Sequence, residues 1–363
     1  MKIRIFLFLV CVLSGSIANA VTVQGLYRAD IKVPAIESES AMLNSAFSQA
    51  VKQVLIKVSG NEQAIRGNLL VQAQKSAASW VAQHSVVALP DLLSTESGLV
   101  PGRQVMVTFY RESIDGFLSQ NNLPVWAENR PSVLVWLVND DGASRQVSGA
   151  NAPSVELNEF ALAMTRKGVP VYAPLMDSVD QSEISAADIW GFFTDSIQQA
   201  SRRYQTDVVA ALRLSRFGES ASGDLLLLLP SGDTQRFSIA GDDLNALLDT
   251  GAGHLAKALS DRYAAVRSRE SSARFVLEVL GVSDFKQMDK VQAYLQSVGV
   301  VREVQLQHVK ANQVAFSVDV DGGKDKLLSA IGLSRVLVPT QPPVLTEPTQ
   351  ESPNTQYFQF NGE

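Results

Sequence analysis

Between Leu43 and Val58 the apolar residues Leu43, Ala46, Phe47, Ala50, Val51, Val54, Leu55 and Val58 fall three and four positions apart, which predicts one long helix with a continuous apolar face. Gly60 stands where such a helix would stop. Ahead of it Val23–Val33 reads as a strand, and Pro34–Ser40 as the turn into the helix. After it Leu69–Gln83 reads as a second helix. Val105, Val107 and Phe109 then alternate with Gln104, Met106 and Thr108 as in a half-buried strand, and Ile114–Gln120 reads as a short helix. Residues 21–122 are thus expected to form an α+β block.

The pattern changes after Leu123. Val133–Val138 is apolar at consecutive positions, the mark of a central strand covered on both faces. Helix Leu157–Lys167 leads through Gly168 to strand Val169–Tyr172, and helix Ala187–Tyr204 leads to strand Asp207–Leu214. Leu225–Leu229 and Gln235–Ile239, joined by Pro230-Ser231-Gly232-Asp233, read as a hairpin, and a helix from Leu244 to Tyr263 closes the block. Alternation of strand and helix predicts a mixed sheet flanked by helices over residues 123–268. In residues 272–338 the order is strand Phe275–Leu280, helix Phe285–Val298, strands Val300–Val309 and Gln313–Val320, helix Lys324–Ile331 and strand Arg335–Val338. That βαββαβ order is the one of a ferredoxin-like split βαβ unit. The fold class expected overall is α+β, with three α/β blocks on mixed sheets.

Residues 339–363 carry Pro342, Pro343, Pro348 and Pro353 among Thr, Gln and Glu, and a segment so poor in apolar surface is expected to stay disordered. Tyr357, Phe358 and Phe360 break that pattern. Either the end is inert or docks on its own domain, or it is a short peptide that adds to another protein's sheet edge.

The opposite end points to export. Lys2 and Arg4 precede an apolar run, Ile5–Leu13, and Ala18-Asn19-Ala20 supplies the small residues a signal peptidase accepts, so residues 1–20 are expected to be a signal peptide cleaved after Ala20. The run is too short to serve as an anchor, since crossing a bilayer takes roughly 20 apolar residues. The single cysteine, Cys11, lies inside this leader behind Phe8-Leu9-Val10, a context unlike that of a lipidation site. A mature chain from Val21 would hold no cysteine, which excludes disulfides, thiol catalysis and cysteine-ligated metal. The formal charge of −6 becomes two units more negative without Lys2 and Arg4, and an acidic chain disfavours nucleic acid as a partner. The expected location is the periplasm, without a transmembrane span.

Two resemblances bear on this reading. The stretch Leu123–Asp140, with Trp126, Asn129-Arg130-Pro131 and Leu134-Val135-Trp136, resembles the hallmark of a proteobacterial exported family catalogued as a domain of unknown function, number 2066. Tyr27, the long helix and Val58-Ser59-Gly60-Asn61 follow in the order that family shows. The resemblance implies fold and export, and no activity or catalytic residue. The middle block, in the order of strand Asp207–Leu214, the hairpin and the helix carrying His254, is similar to small α/β domains of envelope proteins such as the curli secretion lipoprotein, the penicillin-binding-protein activator lipoproteins and the Tol-system propeller protein. Those domains bind proteins, and fold alone does not carry function across.

Candidate chemistry is sparse. His84 is placed at a helix end, His254 on a helix and His308 near a strand end, each in a different block and without the short spacing of a zinc site. No Gly-x-Ser-x-Gly elbow occurs. Asp140-Asp141-Gly142 follows the buried strand, where α/β folds place ligands, but it is also ordinary turn chemistry. Trp126 and Arg130 admit two roles. In the structural one Trp126 caps the first block and Arg130 pairs with a carboxylate; in the other they are hot spots of a docking groove. The expectation is therefore an exported periplasmic protein acting as a non-enzymatic interaction or scaffold component of the cell envelope. Its candidate binding residues are Trp126, Arg130, Tyr357, Phe358 and Phe360, with no catalytic residue, no metal and no cofactor. The alternative is a carboxylate-dependent enzyme or binder acting on cell-wall or polysaccharide material.

Overall fold

The computed structural model describes residues 21–35, 38–95, 98–217, 220–267, 272–334, 336–342 and 354–362. The expected signal peptide lies outside these residues, as does most of the proline-rich segment. The first block contains β1 (Val21–Thr22), β2 (Arg28–Pro34), α1 (Glu39–Ser59), α2 (Gly67–Trp80), β3 (Val81–Thr95), β4 (Gly98–Phe109) and α3 (Arg111–Gln120). Ser38 caps α1 through its side chain, and Gly60 ends it in the left-handed region at φ 66°, its N–H donating to Ile56 O. The buried face of α1, including Ala46, Ala50, Val51, Val54 and Leu55, packs on Ile31, Val33, Val105 and Val107 of an antiparallel sheet ordered β2-β4-β3.

Two features of this block depart from the sequence reading. The first strand begins at Arg28, because Gly25, at φ 69°, turns the chain before it. The second helix stops at Trp80, and Val81–Thr95 is a strand paired with β4 along nearly its whole length. His84 therefore sits on a strand, edge-on to Phe47 with ring centroids 5.4 Å apart, rather than at a helix end. Long-range pairing with β4 overrides a helical spacing that had no capping residue to end it.

A short linking segment carries β5 (Pro124–Val125) and β6 (Asn129–Arg130) into the second block. This block has β7 (Val133–Asp140), β8 (Arg145–Ser148), α4 (Val155–Arg166), β9 (Val171–Tyr172), α5 (Ser178–Glu183), α6 (Ala186–Trp190), α7 (Thr194–Ser201), β10 (Val208–Phe217), β11 (Ser220–Leu228), β12 (Thr234–Ala240), α8 (Leu244–Tyr263) and β13 (Ala265–Val266). Its sheet is mixed, ordered β12-β11-β10-β7-β8, with β7 parallel to both β10 and β9. Strand β7 is buried on both faces. Val133, Val135 and Leu137 pack toward α4 and α8, while Leu134, Trp136 and Val138 meet residues of α6 and α7. The single helix expected over Ala187–Tyr204 is broken into α6, α7 and a 3-10 turn, Arg202–Tyr204. Ser185 and Asp188 form a capping box, Gly191 closes α6, and Phe192 takes φ 54° before α7 begins. Strand β8 adds a hairpin to β7 that the apolar pattern did not show, since Arg145-Gln146-Val147-Ser148 is mostly polar.

The third block comprises β14 (Ser272–Leu280), α9 (Phe285–Ser297), β15 (Val301–Lys310), β16 (Gln313–Asp321), α10 (Gly323–Ile331), β17 (Leu337–Pro339) and β18 (Thr355–Phe360). The βαββαβ succession is present up to β17, but the sheet is ordered β15-β16-β14-β18-β17. The last residues of the chain depart from disorder and insert as β18, parallel to β14 and antiparallel to β17. Aromatic residues at alternate positions explain this: Phe358 and Phe360 enter the core with Leu277, Val279 and Phe316. Among the described residues no helix is long and apolar enough to cross a membrane.

Gly60 tests the junction of the first two blocks. A Cβ built on it would lie 2.6 Å from Ser260 Cβ and 2.9 Å from the Trp126 ring, at a φ that L side chains rarely adopt. Gly60→Ala is expected to lower unfolding free energy by about 2–4 kcal/mol, the sum of left-handed strain and overpacking, as read by urea denaturation.

Candidate functional site

The segment from Pro124 to Arg130 is where the three blocks meet. Strand β5 pairs with β13 at the end of the second block, β6 pairs with β1 at the start of the first, and Trp126 N–H donates to Val58 O at the end of α1. Gly299 of the third block approaches so closely that a Cβ there would lie 2.5 Å from Ala127 Cβ.

At the centre lies Arg130, with no exposed surface. Among the described residues it pairs with no carboxylate, contrary to the expected structural role. Instead its guanidinium donates to five backbone carbonyls: Ala127 at 3.1 Å, Lys167 at 3.3 Å, Gly168 at 3.0 Å, Lys57 at 2.7 Å and Trp126 at 2.9 Å. The Lys57 carbonyl belongs to the last turn of α1, and those of Lys167 and Gly168 lie at the end of α4, so two negative helix ends face the cation. The Trp126 ring lies 4.2 Å from the guanidinium carbon, a cation–π contact worth about 2 kcal/mol in a desolvated setting. Burial draws the Arg130 pKa down to about 9, which leaves it cationic at neutral pH. The neighbouring Lys57 ammonium, which donates to Arg28 O at 2.8 Å, is pushed below its ordinary value by burial and by the charge of Arg130. Gly168 is left-handed at φ 71° and admits no side chain, because a Cβ there would lie 2.7 Å from Arg130 Nη1.

A second clamp, which sequence reasoning missed, stands beside the first. Lys167, 5% exposed at its side chain, donates to Glu62 at 2.7 Å and to Asp249 at 3.1 Å, bridging the first block to α8. Lys167 follows a helix as an ordinary solvated lysine would, and nothing in the sequence marks it as buried. Also invisible there is a ladder on the second block in which Arg145 stacks on Trp190, Arg213 lies over Trp190 and Phe192, and Arg236 lies over Phe192. Its residues come from four separate stretches, and Asp224 holds it together by accepting from Arg213 and Ser238.

The remaining candidates are scattered. Asp140 accepts from Gly142 N–H and Arg145, and Asp141 from Ala143 and Ser144 N–H, so both carboxylates close the turn between β7 and β8. His254 stacks on Phe237, and His308 lies 3.6 Å from Glu278. Among the described residues no group of three or more His, Cys, Asp or Glu is placed to hold a metal. Trp126 and Arg130 are brought into contact, but Tyr357, Phe358 and Phe360 lie apart from them in β18, with Phe358 and Phe360 buried. Two adjoining clefts, of about 450 and 520 Å³, share Gln205, Thr206, Asp207, Pro230 and Ser231 at the amino end of β10. Asp207, their shared carboxylate, accepts from Ser132 N–H and Oγ.

One surface is left open in a way the junction is not. Strand β3 is the edge of its sheet and runs 15 residues, with Val86, Val87 and Leu92 exposed, and Leu99 of β4 exposed beside its tip. Between Val81 and Leu89 it carries no Asp, Glu, Lys or Arg, the charges that usually guard a free edge.

A family model described as Domain of unknown function (DUF8605) matches residues 20–127. It spans the first block, β3 and β4 included, and ends inside the linking segment, three residues before Arg130. Among curated proteins none matches the chain.

The clamp predicts a large, specific loss on truncation. Arg130→Ala leaves five carbonyls, four of them in buried contacts, without their donor and is expected to cost about 3–5 kcal/mol in chemical denaturation, the range for removing one side of a buried charged contact. Arg130→Lys should recover less than half of that loss, because one ammonium cannot reach five acceptors spread over a planar fork. A loss under about 1 kcal/mol for the alanine variant would contradict the clamp, since that is the size of an ordinary surface effect.

Proposed function

We propose that this protein is an exported, non-enzymatic interaction scaffold of the cell envelope; its resemblance to the family numbered 2066 supports fold and export alone. The observation that carries the reading is the contrast between a junction closed by Arg130 and a long strand edge left open on β3. The frame ties the first two blocks and the linking segment together through backbone carbonyls and a cation–π stack. From Val81 to Leu89 the outer edge of β3, which has no second ladder partner among the described residues, together with exposed Val86, Val87 and Leu92, offers another protein the terms of strand addition. Export is supported by Lys2, Arg4, the apolar run and Ala18-Asn19-Ala20, and by a family match that starts at residue 20, beside the expected cleavage point.

A second reading, a binder of polysaccharide material, draws on the clefts beside Asp207. Thr206 Oγ1 and Arg262 Nε are buried there without a hydrogen-bond partner, and Gln205 and Ser231 line the same space. One shared carboxylate, already engaged by Ser132, favours binding over acid–base hydrolysis, which needs a facing pair.

The scaffold reading is checked with a photo-crosslinking residue placed at Val87 or Leu99 in intact cells. Discrete adducts to another envelope protein are expected, lost when Val86→Lys charges the edge, and the purified pair should bind with the same dependence. Recovery of the chain in the cytoplasm, or an arm that yields no adduct in the envelope, would overturn it.

A further inference from the structure

The place of β18 in its sheet is unusual for a βαββαβ unit, where the last strand pairs directly with the first. Here β18 has entered between them. It pairs with β14 from Val276 opposite Thr355 to Leu280 opposite Gln359, and with β17 from Leu337 opposite Phe360 to Pro339 opposite Phe358. Among the described residues β17 has no other ladder partner. Strand β14, already paired with β16 on its other side, therefore presents a free edge whenever β18 is out.

Three observations make this slot a receptor for a strand rather than a fixed part of the core. First, β18 is joined to β17 by residues 340–354, a connector far longer than the roughly two to five residues that close neighbouring antiparallel strands. Second, the recognition elements are those of strand addition. Backbone pairing runs along β14, Val276 N–H donates to Asn354 O, and alternate side chains Phe358 and Phe360 enter the core while Gln359 stays exposed. Third, the inserted segment Thr355-Gln356-Tyr357-Phe358-Gln359-Phe360 carries no charge, so it is held by backbone pairing and two apolar side chains alone.

We propose that the gap between β14 and β17 is a strand-acceptor groove, and that the end of the chain is its resident, displaceable occupant. The partner it fits is an extended peptide of another protein, running parallel to β14, uncharged over five or six residues, with two large apolar side chains two positions apart. The inference deepens the scaffold reading by adding a second docking surface, and rests on that reading only for the partner's belonging to the envelope. Residues Tyr357, Phe358 and Phe360 then act as a template of the partner's sequence and not as the hook itself.

The test uses the full chain. In a Phe358→Ser, Phe360→Ser variant the strand should leave the slot, and the β14 amides facing β18 should exchange with solvent while those of β15 and β16 stay protected. A fluorescein-labelled synthetic peptide of residues 354–363 should bind this variant at least tenfold more tightly than it binds the unaltered chain, and should restore protection to β14. The same peptide with serine at both phenylalanine positions should not bind. A folded variant with an open β14 edge that fails to take up the peptide overturns the proposal. If the variant does not fold, hydrogen exchange in the unaltered chain decides: β18 amides should exchange through a local opening ahead of β14 and β16, and exchange only with the whole block would overturn the proposal. Neither readout depends on location in the cell or on the β3 arm, so the two readings fail separately.

Discussion

A buried guanidinium without a carboxylate is the constraint around which the rest is arranged. Arg130 can stay charged in the interior only if its donors are met, and here backbone carbonyls meet them. Those carbonyls come from the end of α1, the end of α4 and the linking segment itself, so satisfying one side chain fixes the relative positions of three pieces of chain. Gly60 and Gly168 follow from the same demand. Each sits where the backbone must turn left-handed and where a Cβ would collide with the clamp or its neighbours. Ser260 adds a last tie, its hydroxyl donating to Ser59 O at 2.6 Å across the same contact.

Elements whose stability is local were legible in the sequence, and elements created by distant pairing were not. Helix α1 announces itself through eight apolar positions and a terminal glycine, and β7 through six consecutive buried residues, because burial on one or both faces leaves a direct trace in composition. Strand β3 leaves none, since its exposed edge has no core face to alternate against. Phe192 breaks a helix that periodicity runs straight through, because a single left-handed residue is a backbone event without a hydrophobic signature. At the site, Trp126 and Arg130 were visible as an uncommon pairing ahead of a buried strand. Their carbonyl partners were not, because a carbonyl belongs to every residue and marks none.

The two kinds of surface divide along the same line. At Arg130 and Lys167 the cationic donors are matched inward, so block contacts hold by backbone geometry as well as by apolar area. Along β3 the backbone groups face outward, and side chains that would discourage pairing are missing from Val81 to Leu89.

The position of β18 also has a consequence in time. A chain made or threaded amino end first delivers every strand of the third sheet except one, and that one belongs near the middle. Until Phe360 has arrived, β17 lacks its only ladder partner among the described residues and β14 lacks one of its two. Removing Thr355–Phe360 would therefore leave two strands short of a ladder partner, not one.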